Sequence, residues 1–101
     1  MGEFEFEGPV IEWRGPAPFL FVDIPVEVSD DLKIAAAGIE YWGQVPVTAR
    51  IGDVEFFTAL FPKDGRYLLP VKVAVQRATG VGLGDVVPVA LRVGRDRHVD
   101  D

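Results

Sequence analysis

The amino-acid sequence predicts a mainly β domain of about seven strands and two short helices, built from an internally duplicated unit. Three observations favour this class. Residues Glu3–Glu7 alternate between charged and apolar side chains, proline and glycine separate short β-branched and aromatic runs, and two sequence blocks recur in the same order. At 101 residues the chain has the length of one domain. We expect residues 1–94 to form it and residues 95–101 to be a polar, disordered tail.

Three strands are predicted before the first helix. Phe4 and Phe6 alternate with glutamates, which places both rings on one face of a half-buried antiparallel strand over Glu3–Glu7. Turn-forming prolines and glycines then bound a short strand over Val10–Arg14, and an aromatic, β-branched strand follows over Phe19–Ile24.

The period of the apolar residues changes after Pro25, because the apolar residues between positions 28 and 36 recur at helical spacing. Ser29 is expected to cap this helix, and Asp30-Asp31 to lie near its N-terminus. Acidic side chains there interact favourably with the helix dipole, by about 0.3–1 kcal/mol each. Gly38 is the expected end of the helix.

The middle of the chain predicts a hairpin, since the β-rich runs Val45–Ile51 and Val54–Phe61 flank the two-residue turn Gly52-Asp53. A second turn over Pro62–Gly65 leads into a strand over Arg66–Leu69.

The next segment, Pro70–Thr79, fits both periods, because its valines alternate as in a strand and its apolar residues also share a helical face. We interpret it as a helix, since a proline stands just inside its start and Gly80 stands just past its end. Val86–Val93 is the last predicted strand.

Two blocks of the first half recur in the second half. Ile24-Pro25-Val26-Glu27-Val28 matches Leu69-Pro70-Val71-Lys72-Val73, and Val45–Ile51 matches Val87–Val93 with its Val-Pro-Val start and its arginine retained. Each copy is therefore a strand, a proline, a short helix and a strand. One such unit leaves open strand edges and an unpaired apolar helix stripe, so two units pairing about a pseudo-twofold axis would close the core.

The second copy, from Gly65–Pro70 to Gly84–Val87, resembles the half-barrel unit of transition-state-regulator (AbrB-type) and antitoxin (MazE-type) domains, which dimerise to close a double-split β-barrel. A wider resemblance is carried by Phe21–Pro25, Trp42-Gly43, Val45-Pro46-Val47, Leu60–Pro62, Tyr67–Lys72, Arg77 and Gly84-Asp85. Through these residues the whole chain resembles a bacterial family of domains of unknown function, the one numbered nineteen-oh-five. This resemblance implies a double-split β-barrel made within one chain, and it implies no established activity.

The composition narrows the classes of function. The chain carries 16 acidic and 10 basic residues, a net charge of −6, whereas nucleic-acid binders draw most of their affinity from a basic surplus. With no cysteine, the chain forms no disulfide and has no thiolate metal site or thiol nucleophile. No apolar run approaches the roughly 20 residues that a membrane helix needs. These features favour a cytoplasmic protein that does not bind membranes.

Catalytic signals are weak in this sequence. It contains one serine, Ser29, and one histidine, His98 in the polar tail, so a rigid serine–histidine pair is not expected. Transition-metal sites usually use several His or Cys ligands, so we expect no metal and no cofactor. An enzyme acting through paired carboxylates is the weakest of three alternatives.

The leading hypothesis is a non-enzymatic module that binds a small anionic ligand or a protein partner. Aromatic residues beside turns, here Trp13, Tyr41 and Trp42, can rim a pocket, and neighbouring cations can add selectivity for anions. A nucleic-acid-binding regulator of AbrB-like type is the alternative, based on the basic residues near the regulator-like unit. The chain is expected to be a monomer or a dimer. The candidate binding residues are Arg14, Trp42, Arg66, Lys72 and Arg77.

Overall fold

The computed structural model describes residues 3–13, 19–37 and 44–94. Within these ranges the secondary structure consists of six strands and two helices, in the order strand, strand, helix, strand, strand, strand, helix, strand. The bounds are β1 Glu3–Trp13, β2 Phe19–Asp23, α1 Val26–Ala35, β3 Val45–Ile51, β4 Val54–Lys63, β5 Arg66–Val71, α2 Val73–Thr79 and β6 Val86–Val93.

The strands form a closed antiparallel barrel in the order β1-β2-β5-β4-β3-β6, in which β6 also pairs with β1. The predicted mainly β class with two helices is therefore confirmed. Alternate residues of every strand point into one core, which also contains Leu32 of α1, Ala36 directly after α1, and Val75 of α2. Closure matters for stability because it gives each strand hydrogen-bonded residues on two neighbouring strands.

The predicted count of seven strands is wrong for the described residues, because the first two predicted strands are one continuous strand, β1. Gly8-Pro9, which the sequence pattern suggested as a break, is where β1 exchanges partners. Its ladder with β6 runs to Pro9, and its ladder with β2 begins at Val10. Gly8 lets the backbone of β1 approach the carbonyl of Asp23 more closely than any side chain would permit.

Helix α1 begins directly after Pro25, and the prediction that Ser29 caps it is wrong. Ser29 is fully buried in the second turn, where its hydroxyl Oγ accepts a hydrogen bond from the backbone N–H of Tyr67 at 3.1 Å. This contact ties α1 to β5 and satisfies a buried donor. Asp30 and Asp31 are therefore not at the helix start as predicted, and Glu27 is the acidic residue of the first turn.

Helix α2 begins at Val73, three residues later than predicted, and Pro70 belongs to β5 instead of the helix start. Pro70 lies opposite Phe21 in the ladder with β2. The side chain of Gln76 donates a hydrogen bond to the carbonyl of Val71 at 2.8 Å, at the point where β5 ends. The predicted end is confirmed, because Gly80 closes the helix in the left-handed conformation with a φ of 77°.

The two hairpins of the middle region are present. Gly52-Asp53 connects β3 to β4 as predicted, whereas the second turn is shorter than predicted because β4 continues to Lys63. That turn consists of Asp64 and Gly65, with φ values of 52° and 80°, the positive pair that two-residue hairpins favour.

Some predictions fall outside the described residues. They concern Gly38 as the end of the first helix and residues 95–101 as a polar tail. Among the described helices, neither has the length or apolarity required to cross a membrane.

The outer surface of the barrel has two faces of different character. On β1, Glu3, Glu5 and Glu7 point outward beside β6, whose Arg92 lies opposite Glu3. On the side formed by β1, β2, β5 and β4, the outward positions are mostly apolar and aromatic. An antiparallel barrel normally presents polar residues to water, so the second face is the unusual one.

Candidate ligand-binding cleft

The apolar outer face is built by cross-strand neighbours. Strand alternation points Leu20 and Val22 of β2 into the barrel core, so Phe21 points outward. Phe21 lies opposite Ile11 on β1 and opposite Pro70 on β5. It is only 8% exposed although it faces away from the core. The outer face therefore holds a second apolar cluster, separate from the barrel interior.

Three aromatic rings from three strands form the centre of this cluster. The ring centroids of Trp13 and Phe61 are 5.4 Å apart at an interplanar angle of 73°, an edge-to-face contact. Phe21 lies 5.8 Å from Trp13 and 6.3 Å from Phe61. Aromatic pairs at these separations each contribute about 0.5–1.5 kcal/mol of stability beyond that from burying their surface. These contacts therefore stabilise the arrangement of the three rings.

A cleft of about 400 Å³ opens on this triad. Its wall is apolar except for one side chain, and ligand sites of about 300–1,000 Å³ typically show such a lining. The cleft is lined by Trp13, Phe19, Leu20, Phe21, Phe61, Pro70, Val71 and Lys72. Phe19, at the rim, is 61% exposed, an uncommon state for a phenylalanine.

Two lysines stand at this end of the barrel. The Nζ of Lys63 lies 4.7 Å from the centroid of the Trp13 ring, which is a cation–π contact. The same Nζ is 3.4 Å from a carboxylate oxygen of Asp64. Within the described residues, Lys72, between β5 and α2, is the one charged residue that lines the cleft, and it makes no ion pair there. Among the described residues, the cleft thus combines aromatic ring faces with the ammonium group of Lys72, which forms no ion pair.

The structure does not bring the described candidate binding residues together in one site. Lys72 lines the cleft, whereas Arg77 lies in the last turn of α2 and is not part of the lining. Arg66 contacts the carboxylate of Asp23, with 3.3 Å between Nη2 and Oδ2. The other carboxylate oxygen of Asp23, Oδ1, is buried without a hydrogen-bond partner among the described atoms. Arg14 and Trp42 lie outside the described residues.

Sequence reasoning identified Trp13 as an aromatic residue beside a turn but missed Phe21, Phe61 and Pro70. The missed signal is the run Phe19-Leu20-Phe21-Val22. In an antiparallel strand, four consecutive apolar residues must place two on the outside, and this indicates a covered or binding outer face. The contribution of Phe61 depends on the strand order, which the sequence does not reveal.

The described residues that line the cleft offer mainly apolar surface. Its apolar rings and aliphatic groups can bury an apolar surface, and Lys72 can donate hydrogen bonds or attract a negative charge. Within residues 3–13, 19–37 and 44–94, no three His, Cys, Asp or Glu side chains come together as metal ligands would.

A closed six-stranded antiparallel barrel with two helices and an aromatic cleft on its outer face defines the class of this domain. A family model described as Domain of unknown function (DUF1905) matches residues 6–91. The chain belongs to this family, which confirms the resemblance noted in the sequence. No curated protein matches the chain. The family description assigns no activity.

Proposed function

We propose that the domain is a non-enzymatic binding module that takes a small, largely apolar molecule in its outer cleft. The observation that carries this proposal is the exposed aromatic cleft itself, with Trp13, Phe21 and Phe61 at its centre. Burying apolar surface contributes about 25 cal/mol per Å², so an uncovered aromatic wall supplies affinity for an apolar ligand.

The lining supports binding over catalysis. Lys72 is the one ionisable side chain among the lining residues, and general acid–base chemistry needs a proton donor or acceptor positioned at the reacting group. The hydroxyl of Ser29, the chain's one serine, is buried and occupied by the N–H of Tyr67. The volume of about 400 Å³ suits a small molecule.

Titration with a neutral fluorescent probe, N-phenyl-1-naphthylamine, tests the proposal. We expect saturable binding with enhanced fluorescence. Replacing Phe19 with serine removes an exposed part of the wall and should weaken binding about tenfold, which corresponds to the partial burial of one phenylalanine.

Phe57→Ser is the matched control, because Phe57 is 44% exposed on β4 and does not line the cleft. It should leave the affinity within about twofold of the wild type. Absence of saturable binding, or equal losses in both variants, would contradict the proposal. Sedimentation adds a further check: a dimer that Phe19→Ser converts to a monomer would mean that a second copy occupies the cleft.

We also propose that the barrel is a double-split β-barrel that arose by duplication of one unit, β1-β2-α1-β3, into a second, β4-β5-α2-β6. Exchanging each strand with its counterpart (β1 with β4, β2 with β5, β3 with β6) reproduces every neighbour relation in the barrel order. Each helix also follows the second strand of its unit.

The strand registers support the same relation. The sequence match of Ile24 with Leu69 also matches Asp23 with Leu68, and these two residues lie directly opposite each other between β2 and β5. The match of Val45 with Val87 also matches Ala49 with Leu91, which are opposite each other between β3 and β6. Equivalent residues meet at both places where a twofold axis would pass through the barrel wall.

A circular permutant tests the duplication. In a twofold barrel the gap between β6 and β1 is equivalent to the Gly52-Asp53 hairpin, and Glu3 already lies opposite Arg92. Joining β6 to β1 through a Gly-Asp turn, with new termini at Gly52-Asp53, should give a folded barrel. Circular dichroism and amide NMR dispersion measure this, and a permutant without cooperative unfolding would count against equivalent halves.

A further inference from the structure

We infer that the ligand of the cleft is an organic anion, and that its charged group binds at Lys72. This inference rests on the proposed function and specifies its ligand class. The chain as a whole is acidic, with 16 acidic against 10 basic residues, yet among the described residues that line the cleft there is one lysine and no acidic side chain. The local charge is therefore opposite to that of the molecule.

Two other cations, Lys63 on β4 and Arg66 on β5, already have partners. Arg66 is bound by Asp23, and Lys63 lies over the Trp13 ring with Asp64 beside it. A carboxylate 3.4 Å from the Lys63 ammonium offsets much of its attraction for a second anion. Lys72 has no such partner among the described residues, so its charge is available to a ligand.

The position of Lys72 fits the head of an amphipathic ligand. It follows Pro70 and Val71, which line the wall, and it is exposed to solvent. A lysine in this setting lays its aliphatic stem along apolar surface and keeps its ammonium group in water. A ligand whose apolar body contacts the rings can thus place an anionic group beside the ammonium at the mouth of the cleft.

Two fluorescent probes with the same aromatic skeleton distinguish the contribution of the ligand's charge to the affinity from that of its apolar contacts. N-phenyl-1-naphthylamine is neutral, and 8-anilinonaphthalene-1-sulfonate is the same skeleton with a sulfonate. We expect the wild-type protein to bind the sulfonate more tightly at low salt and to lose that preference at high salt, because ions screen the exposed pair.

Lys72→Gln should weaken the affinity for the sulfonate probe about five- to tenfold, a loss between the free energy of an exposed charged contact and that of a partly desolvated one. The affinity for the neutral probe should stay within about twofold of the wild type. Lys72→Arg keeps the charge and should retain the preference. Lys33→Gln is the matched control, since Lys33 is a half-exposed lysine on α1 that does not line the cleft. Thermal unfolding of each variant confirms that it is folded.

The outcomes distinguish this inference from the function on which it depends. If neither probe binds saturably, the proposed function fails. If both bind with equal affinity, or Lys72→Gln weakens both alike, the cleft binds apolar molecules but the anion assignment is overturned. If Lys63→Gln reduces sulfonate binding more than Lys72→Gln does, the charged group lies at Lys63 and the assignment to Lys72 is wrong.

Discussion

Replacing Gly8 with alanine will destabilise the domain by at least about 3 kcal/mol, the upper end of the usual cost of overpacking. A Cβ at this position would overlap the carbonyl oxygen of Asp23 and would lie 2.9 Å from Cγ1 of Val22. The obstacle includes backbone, which cannot rotate away as a flexible side chain can, so β1 and β2 would have to separate. Since domains are stable by about 5–15 kcal/mol, this is a large fraction of the total.

Chemical denaturation measures this effect, and Gly82→Ala provides the comparison. Gly82 lies in the connection between α2 and β6, where an added Cβ would meet nothing within 4 Å and where the backbone has no left-handed φ. Both substitutions reduce the entropy of the unfolded chain in the same way, so the difference between them reports the contact. A Gly8→Ala midpoint equal to that of Gly82→Ala would show that β1 and β2 are less closely apposed than described.

Leu32→Ala is the second substitution with a large expected effect, about 2–5 kcal/mol of lost stability. Leu32 is 0% exposed and belongs to the core cluster, to which it contributes from α1. Its truncation removes buried methyl groups and leaves a cavity that the closed barrel has little freedom to collapse around. The free energy of unfolding in guanidinium chloride measures the loss.

Ile34→Ala removes an isomeric side chain from the same helix and serves as the control. Ile34 is 77% exposed, so this substitution should change stability by no more than about 0.5 kcal/mol. If the two variants lost equal stability, the orientation of α1 against the barrel would have to be different.

The alternation of Glu3–Glu7 and the β-branched runs predicted the strands of this fold well, because a half-buried sheet face imposes a two-residue period. Local rules failed where a distant residue decided the outcome. Ser29 has the chemistry of a helix cap, but its partner is the backbone of Tyr67, 38 residues away. Pro70 has the chemistry of a helix start, but the ladder with β2 keeps it in β5. Neither partner is visible in a local window of sequence.

The candidate site was less predictable than the fold for the same reason. Lys72 was named as a candidate from the sequence, as one of the basic residues near the regulator-like unit that could add selectivity for anions. The aromatic wall was not identified, because Trp13, Phe21 and Phe61 come from three strands whose adjacency follows from the barrel order. Long-range pairing places these rings together, and no spacing along the chain encodes it.

The pairing of β1 with β6 has a consequence for biosynthesis. Among the strands of the barrel, β1 is synthesised before the others, and one of its two neighbours is β6, the last of them. At about 5–20 residues per second, β6 is synthesised several seconds after β1, so Phe4 and Phe6 lack this neighbour during that time. Glu3, Glu5 and Glu7 alternate with these rings and give the nascent strand a row of negative charges. Such charges repel identical strands on neighbouring nascent chains. They therefore oppose aggregation until β6, which ends at Val93, has been synthesised and can pair with β1.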